Sequence, residues 1–459
     1  MRYHLGGLLV ALTLATLTLA ILPRDAHAQG FDQEGAGPGT IELSLSNPGA
    51  RSLGLGGAFA ALADDATAAF ANPAGLVQLT RSEVSAEGRQ WSYSTPFTVS
   101  GRVTGEPTGI GLDSVSGTRT DATDDEVSGL SFLSFVYPKK NWALAFYRHQ
   151  LANFRSSTAT QGLFADGAQP GSVRRFFDRR VATDLEVVSH GVSAAYRVSE
   201  RLSLGLGLAY TTGRALSTFD LFLVDEVGDF DSFFSPVSFL PEQRAGSLAL
   251  QFDDTDVIFN LGALWQIAPG WSAGAFYRQA PTYALVQEDF LSGPGLEIAG
   301  VPRGTVLQAR RVTPIELPDV FGLGLAYRSK DGALTLSVEW DHVEYGTITD
   351  SFNPTVIDPE VTLSDADEIH LGAEYVFAHS QPIIAVRLGA WLDPDHLFRF
   401  VGGDDSPDDA LARALLAGGD DEWHVSAGLG LVLKHIQLDL AIDLSELRDT
   451  ASLSAIYSF

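Results

Sequence analysis

Over most of its length the chain alternates apolar and polar residues one by one, as in Leu202-Ser-Leu-Gly-Leu-Gly-Leu-Ala-Tyr210, Leu334-Thr-Leu-Ser-Val-Glu-Trp-Asp341 and Ile436-Gln-Leu-Asp-Leu-Ala-Ile-Asp-Leu-Ser445. Successive strand side chains point to opposite faces, so a period of two sets one face in an apolar medium and the other outside it. A soluble sandwich alternates in the same way, and alternation alone leaves both architectures open. Strand length and spacing separate them. The spans 83–93, 128–137, 142–150, 186–198, 202–214, 256–267, 271–279, 317–329, 334–349, 368–377, 383–392, 422–434, 436–447 and 452–459 predict about 14 strands, most near the roughly 10 residues a tilted strand needs to cross a bilayer. The connections sort by parity. Short ones fall at 138–141, 199–201, 268–270, 330–332, 378–382 and 435; long ones at 94–127, 151–185, 215–255, 280–316, 350–367 and 393–421. A sandwich has no physical reason to sort its loops this way, whereas an outer-membrane barrel keeps short turns periplasmic and long loops outside. Only the last hairpin, near Arg448, is short on the long-loop side.

The two faces point to the same architecture. Leu336, Val338, Leu371, Tyr375, Val386, Leu388, Leu438 and Leu440 fall on one of them; Glu339, Asp341, His370, Glu374, Arg387, Asp439 and Asp443 fall on the other. Charges facing lipid cost a few kcal/mol each at the midplane, so the charged face is the lumen. Tyr137, Trp142, Tyr210, Trp265, Trp271 and Tyr327, near predicted strand ends, suit interfacial girdles. The expected fold class is all-β: an antiparallel transmembrane β-barrel of about 14 strands.

Composition then narrows the partners. A net charge of −27 argues against nucleic acid, because phosphate binding needs the opposite sign. The absence of cysteine removes disulfides, thiolate nucleophiles and thiolate-bound metals together. Residues 1–28 read as an export signal, with Arg2, an apolar run from Leu5 to Leu22 and a small-x-small site at Ala26-His-Ala28. The domain reading is 1–28 signal peptide, 29–81 a small N-terminal domain, and 82–459 the barrel.

The N-terminal domain centres on Ser52-Leu-Gly-Leu-Gly-Gly-Ala-Phe, Ala63-Asp-Asp-Ala-Thr-Ala-Ala-Phe and Asn72-Pro-Ala-Gly-Leu76. Small residues let backbones approach closely, and the segment reads either as a linker or as a compact insert in a confined space. These motifs resemble the N-terminal plug of the FadL/TodX-type outer-membrane transporters of long-chain fatty acids and other hydrophobic compounds. PorV-type barrels, which serve protein secretion, are similar at the same residues and supply the alternative function. The resemblance implies a 14-stranded barrel whose lumen the plug blocks, passive uptake of a fatty acid or hydrocarbon, and a gate at Gly54, Gly56, Gly57, Asp64, Asp65, Asn72, Pro73, Ala74 and Gly75. Asp64 and Asp65 are expected to cap a following helical turn. The closing strand, with Leu453, Ala455, Tyr457 and Phe459 on one face, resembles the signal read by the barrel-assembly machinery.

Two long loops hold the candidate ligand-capture residues. Phe219, Phe222, Phe233, Phe234 and Phe239 give the third loop many large apolar side chains, which either fold over one another or bind something. Arg174, Arg175, Arg179 and Arg180 flank Phe176 and Phe177; they suit a carboxylate head group or, equally, the phosphates of lipopolysaccharide in the surrounding outer-membrane lipid. The acidic clusters at 121–126, 404–409 and 420–422 match no known metal loop and read as solvated tips. Enzymatic readings are weak: His342, His370 and His424 have no Gly-x-Ser-x-Gly partner, and the histidines are dispersed along the chain. No catalytic residue, cofactor or metal is expected.

Overall fold

A computed structural model describes residues 46–167, 169–222, 230–291, 307–351, 360–403 and 406–459. The predicted leader and the first part of the predicted N-terminal domain lie outside the described residues. The barrel strands are β1 (Glu83–Arg102), β2 (Thr118–Pro138), β3 (Trp142–Thr160), β4 (Asp178–Arg197), β5 (Leu202–Phe222), β6 (Arg244–Ala268), β7 (Trp271–Arg278 and Thr282–Leu291) and β8 (Leu307–Glu316 and Val320–Arg328). They continue with β9 (Leu334–Val343), β10 (Ala366–Phe377), β11 (Ile383–Asp393), β12 (Glu422–Val432), β13 (Ile436–Leu444) and β14 (Arg448–Ser458). Each pairs antiparallel with its sequence neighbours, and β14 closes the ring on β1 from Glu83↔Ser458 to Tyr93↔Arg448. The result is a closed antiparallel barrel of 14 strands, as the sequence predicts.

Side-chain exposure follows the predicted alternation. Leu204, Leu206, Leu208 and Tyr210 are exposed, while Ser203 and Thr211 are buried. Leu336, Leu371, Tyr375 and Leu388 face outward; Glu339, His370, Glu374, Arg387, Asp439 and Asp443 are buried inside. Aromatic rings meet beside the short turns, Tyr137 with Trp142 and Trp271 with Tyr327. Strands β1 to β6 extend further than predicted, to between 19 and 25 residues. Parts of the predicted loops 94–127, 151–185 and 215–255 are therefore strand. Their polar ends lack the lipid-facing apolar signal but keep pairing with their neighbours beyond the apolar band.

The pairing lapses in two places. The β2–β3 ladder runs only from Phe132↔His149 to Pro138↔Ala143, although both strands continue past it and β3 carries a register shift between Gln150 and Ala152. Strand β7 is interrupted at 279–281 and β8 at 317–319. Between Asn260↔Arg278 and Gln251↔Val286 the β6–β7 ladder is missing. There the Asp254 and Asp256 carboxylates accept the Ala284 and Thr282 N–H groups that neighbouring carbonyls would otherwise take. Pro281 and Pro318 stand in the two interruptions; proline has no N–H to give a ladder.

Candidate functional site

Residues 47–79, termed the plug, lie inside the barrel against its inner wall. They include two helical turns, α1 (Ala50–Leu53) and α2 (Ala68–Ala71), and a 3-10 turn, Pro73–Gln78. A segment with so little regular structure leaves many backbone groups unpaired, and the wall satisfies them. Ser134 donates to Ala66 O at 3.2 Å, Ser193 to Ala69 O at 2.6 Å, Asn260 to Phe70 O at 3.2 Å and Ser272 to Ala61 O at 2.8 Å. In the other direction the Gly49 and Ala60 N–H groups donate to Glu87 and Glu339 at 2.9 and 2.6 Å. These bonds come from opposite sides of the barrel, so the plug is held all round.

Small residues make that fit possible. A Cβ on Gly54 would lie 3.0 Å from the Cα of Gly428 in β12. Gly56 has φ of 62°, and its Cβ would lie 2.9 Å from the Ala390 nitrogen of β11. Gly57 packs beneath the His370 ring, and Gly75 against the Ala63 carbonyl. Asn72 starts the 3-10 turn: its Oδ1 accepts from Ala74 N at 3.2 Å, and its Nδ2 donates to Ala60 O at 2.8 Å and to Ala263 O of the wall at 3.1 Å. Pro73 follows at the first position of the turn, where its missing N–H costs nothing.

Asp64 and Asp65 depart from the expected helix cap. Thr67 holds the cap position of α2, with no side-chain capping bond. Asp65 Oδ1 accepts from Thr67 N at 2.9 Å, which shapes the preceding turn. Asp64 pairs with Arg51 at 2.5 Å and with Arg328 of β8 at 2.6 Å. Two guanidiniums outcompete the weak field of a four-residue helix. Burial alone would raise the Asp64 carboxyl, but Arg51 and Arg328 hold it below its ordinary value; at Asp65 burial prevails over Arg51 and pushes the carboxyl up. Arg51 also meets Glu374 at 3.0 Å, Glu374 meets Arg387 at 2.7 Å, and Arg387 meets Asp439 at 2.7 Å. A buried chain of alternating charge thus runs from the plug into the wall.

On the opposite side of the lumen lies an apolar pocket. It extends from Phe70 of the plug past Tyr147, Leu151, Val187 and Ile258 to the two strand interruptions, where Pro281, Leu317 and Pro318 line it. Its polar groups are few: Asn260, Arg278 and Gln279. The Arg278 guanidinium lies over the Phe70 and Phe276 rings at 4.7 and 4.0 Å from their centroids. None of these residues stood out in the sequence. The prolines at 281 and 318, both placed outside the predicted strand cores or at their edges, were the available signal.

The predicted capture residues lie in the loops and the outer ends of the strands, where they chiefly pack on one another. Phe234 stacks on Phe164 at 5.7 Å and touches Phe233 at 5.0 Å; Phe222 meets Phe239 edge-on at 5.0 Å. Phe219 sits half-buried in β5, paired with Val181 and Leu248. Arg175 pairs with Asp178 at 2.6 Å and donates to Phe233 O at 2.7 Å; Arg174 pairs with Asp408 at 2.7 Å. Arg180 lies over the Phe239 ring at 4.8 Å, and Arg179 follows Asp178 in β4. The second and third long loops therefore share a small aromatic core whose arginines tie it to the strands and to the helix at 407–415.

Comparison with known proteins places this architecture. The family model described as outer membrane protein transport protein (OMPP1/FadL/TodX) matches residues 36–394. A FadL homologue of Pseudomonas aeruginosa has a similar structure, with 15% identity, a TM-score of 0.56, and coverage of 92% of this chain and 100% of that one. The toluene transporter TodX of P. putida is similar at 15% identity and a TM-score of 0.52, covering 90% and 99% of the two chains. The toluene transporter TbuX of Ralstonia pickettii is similar at 15% identity and a TM-score of 0.50, covering 94% and 100%. No curated protein matches the sequence. At such identities the solved structures establish the fold, while the family model spans most of the chain. This is a family of transport channels and not of enzymes. A closed 14-stranded barrel carrying this family's signature from residue 36 to residue 394, the chain belongs to the OMPP1/FadL/TodX family of outer-membrane transporters of hydrophobic compounds.

Proposed function

We propose that this barrel takes up long-chain fatty acids or other hydrophobic compounds, aromatic hydrocarbons among them, by passive movement across the outer membrane. The observation that carries this reading is the apolar pocket between Phe70 of the plug and the strand interruptions at 279–281 and 317–319. A cargo with no charge to pair is held there by burial of its surface, while Asn260, Arg278 and Gln279 offer a head group polar contacts. Capture falls to the aromatic and arginine-rich loops. The plug is the gate: beside the apolar pocket its bonds to the wall are neutral hydrogen bonds, individually modest, so that side yields while the Arg51 and Asp64 ion pairs anchor the other. The end of the β2–β3 ladder at Phe132↔His149 provides a sideways exit, because no backbone bonds have to break above it. A barrel serving protein secretion has less need of an internal apolar pocket.

Uptake of a radiolabelled fatty acid and of toluene, by cells making the wild type or the Asn72→Ala and Pro73→Ala variants, tests the gate. Asn72→Ala removes bonds to Ala60 and Ala263 and leaves buried carbonyls unpaired, a cost of about 1–3 kcal/mol that loosens the plug. Uptake and basal conductance should both change. Normal uptake by both variants would sink the gate assignment. Mass spectrometry of lipid co-extracted with the protein tests the cargo: bound fatty acid or hydrocarbon supports transport, and a co-eluting secreted protein in its place would overturn it.

A further inference from the structure

The charged side of the lumen contains a motif that occurs twice. Glu368-Ile369-His370 lies near the start of β10 and Glu422-Trp423-His424 opens β12. Across the ladder each glutamate faces an aspartate at the end of the preceding strand, Asp341↔Glu368 and Asp393↔Glu422. In each copy one atom from the histidine, one from the glutamate and one from the aspartate lie within 4.8 Å of one another. Trp391 stands between the copies, stacked on His370 at 5.1 Å and on His424 at 3.9 Å.

The second copy is prepared around a lone pair. His424 is fully buried, and its Nδ1 meets the Asp443 carboxylate at 2.7 Å. That contact calls for a proton on Nδ1 and leaves Nε2 as the ring atom available to an ion. Nε2 makes no hydrogen bond; it points toward Glu422 Oε2 at 3.4 Å and Asp393 Oδ2 at 4.0 Å. Separations of this size are what two donors have when they share an ion about 2 Å from each. A carboxylate behind a histidine, fixing its tautomer, is how metal-binding imidazoles are commonly held. Asp393, Glu422 and Asp443 outweigh the nearby Arg448 guanidinium even with the His396 imidazole 3.2 Å from Asp393 Oδ1, so the cluster has the sign for a cation. In the first copy His370 Nδ1 donates to the plug carbonyl of Gly56 at 2.7 Å. Its Nε2 hydrogen-bonds Glu368 Oε2 at 3.1 Å and lies 3.9 Å from Asp341 Oδ2, so an ion here takes the place of the Nε2 proton; Asp341 Oδ1 is buried without a hydrogen-bond partner.

We propose that these paired Asp/Glu/His clusters bind divalent transition-metal ions of the zinc type, one ion per cluster. One imidazole with two carboxylates favours such an ion over magnesium or calcium, which prefer oxygen alone. At the first copy the ion fixes His370 as the tautomer that donates to Gly56, so metal occupancy fastens the plug to β10. The inference concerns the lumen wall and holds whatever the hydrophobic cargo is.

The test uses tag-free, full barrel extracted from outer membranes, stripped with chelator and titrated with Zn²⁺ by calorimetry, and with Co²⁺ by visible absorption. The wild type should take up about two equivalents, with Co²⁺ bands typical of nitrogen and oxygen donors. His424→Gln and His370→Gln should each lose one equivalent, and the double variant both. Asp443→Asn keeps every ligand atom and should weaken one site by about 10- to 100-fold. If a histidine variant fails to fold, Asp443→Asn still decides the matter for the second copy. Absence of saturable binding, or a stoichiometry unchanged in the double variant, would show the clusters to be internal ion-pair networks and overturn the proposal.

Discussion

The two sides of the lumen are built from the same alternating strands and yet have opposite chemistry. Between β3 and β8 the inward positions include Tyr147, Leu151, Val187, Ala209 and Ile258, with Ser193, Asn260 and Arg278 reaching the plug between them, and the wall ladder is broken. Between β9 and β14 they are Glu339, Asp341, His370, Glu374, Arg387, Asp439 and Asp443, and the ladders run unbroken. The plug bridges the two: Phe70 lines the apolar pocket, while Arg51 joins the charged network. The difference teaches how one barrel serves as both anchor and conduit. Fixed charges hold best on a continuous wall, where adjoining strands bring opposite signs together; an apolar path needs space and few polar groups, which the side with the interrupted strands supplies.

The charged side should be the costlier to damage. Glu374→Ala leaves Arg387, whose side chain is 2% exposed, and Arg51 without their shared carboxylate. Breaking a buried pair from one side costs about 3–5 kcal/mol. Urea unfolding of the refolded barrel, followed by tryptophan fluorescence, should show that loss; a change under about 1 kcal/mol would mean the network is solvated. On the apolar side, Ala209→Trp fills the pocket while leaving the charged wall alone. Stability should hold, and hydrophobic uptake should fall by about tenfold, equivalent to about 1.4 kcal/mol. Uptake at the wild-type rate would place the cargo elsewhere.

A pH series sharpens the contrast further. Asp64 is held below its ordinary value, so its grip on Arg51 and Arg328 is complete above the normal carboxylate range and is lost only as pH falls through the lowered value. Basal conductance should stay flat from neutrality down to about pH 4 and rise below it, whereas Asp64→Asn should be leakier at neutral pH and show no such step. The smallest effect belongs outside the lumen. Arg155 and Asp184 pair at 2.7 Å with side chains 62% and 58% exposed, and Arg155→Ala should cost less than about 1 kcal/mol in the same urea assay.

Much of this was legible along the chain. Period-two alternation put Leu336 and Leu388 outside and Glu374 and Arg387 inside, because a strand's geometry fixes which face each residue takes. The small residues at Gly54, Gly56 and Gly57 marked a segment that must pass close to other backbones, and the structure sets Gly54 and Gly56 against β11 and β12. The capping role read into Asp64 was not there, since Arg328 lies 264 residues away and no local pattern announces it. The meeting of the histidines was hidden for the same reason. His370 and His424 are 54 positions apart in the chain, but a shared ladder register brings each to the same face, one on either side of Trp391.

The sequence by itself therefore determined the strand number, the inward and outward faces, the order of short and long connections, and the need for a compact small-residue insert. All of these follow from the chain's own period and from the cost of placing charge in lipid. Only the tertiary structure decided which inward side chains meet, where the ladder lapses, and that the apolar and charged positions separate to opposite sides of the lumen. Those outcomes depend on cross-strand register and ring closure, which join residues hundreds of positions apart.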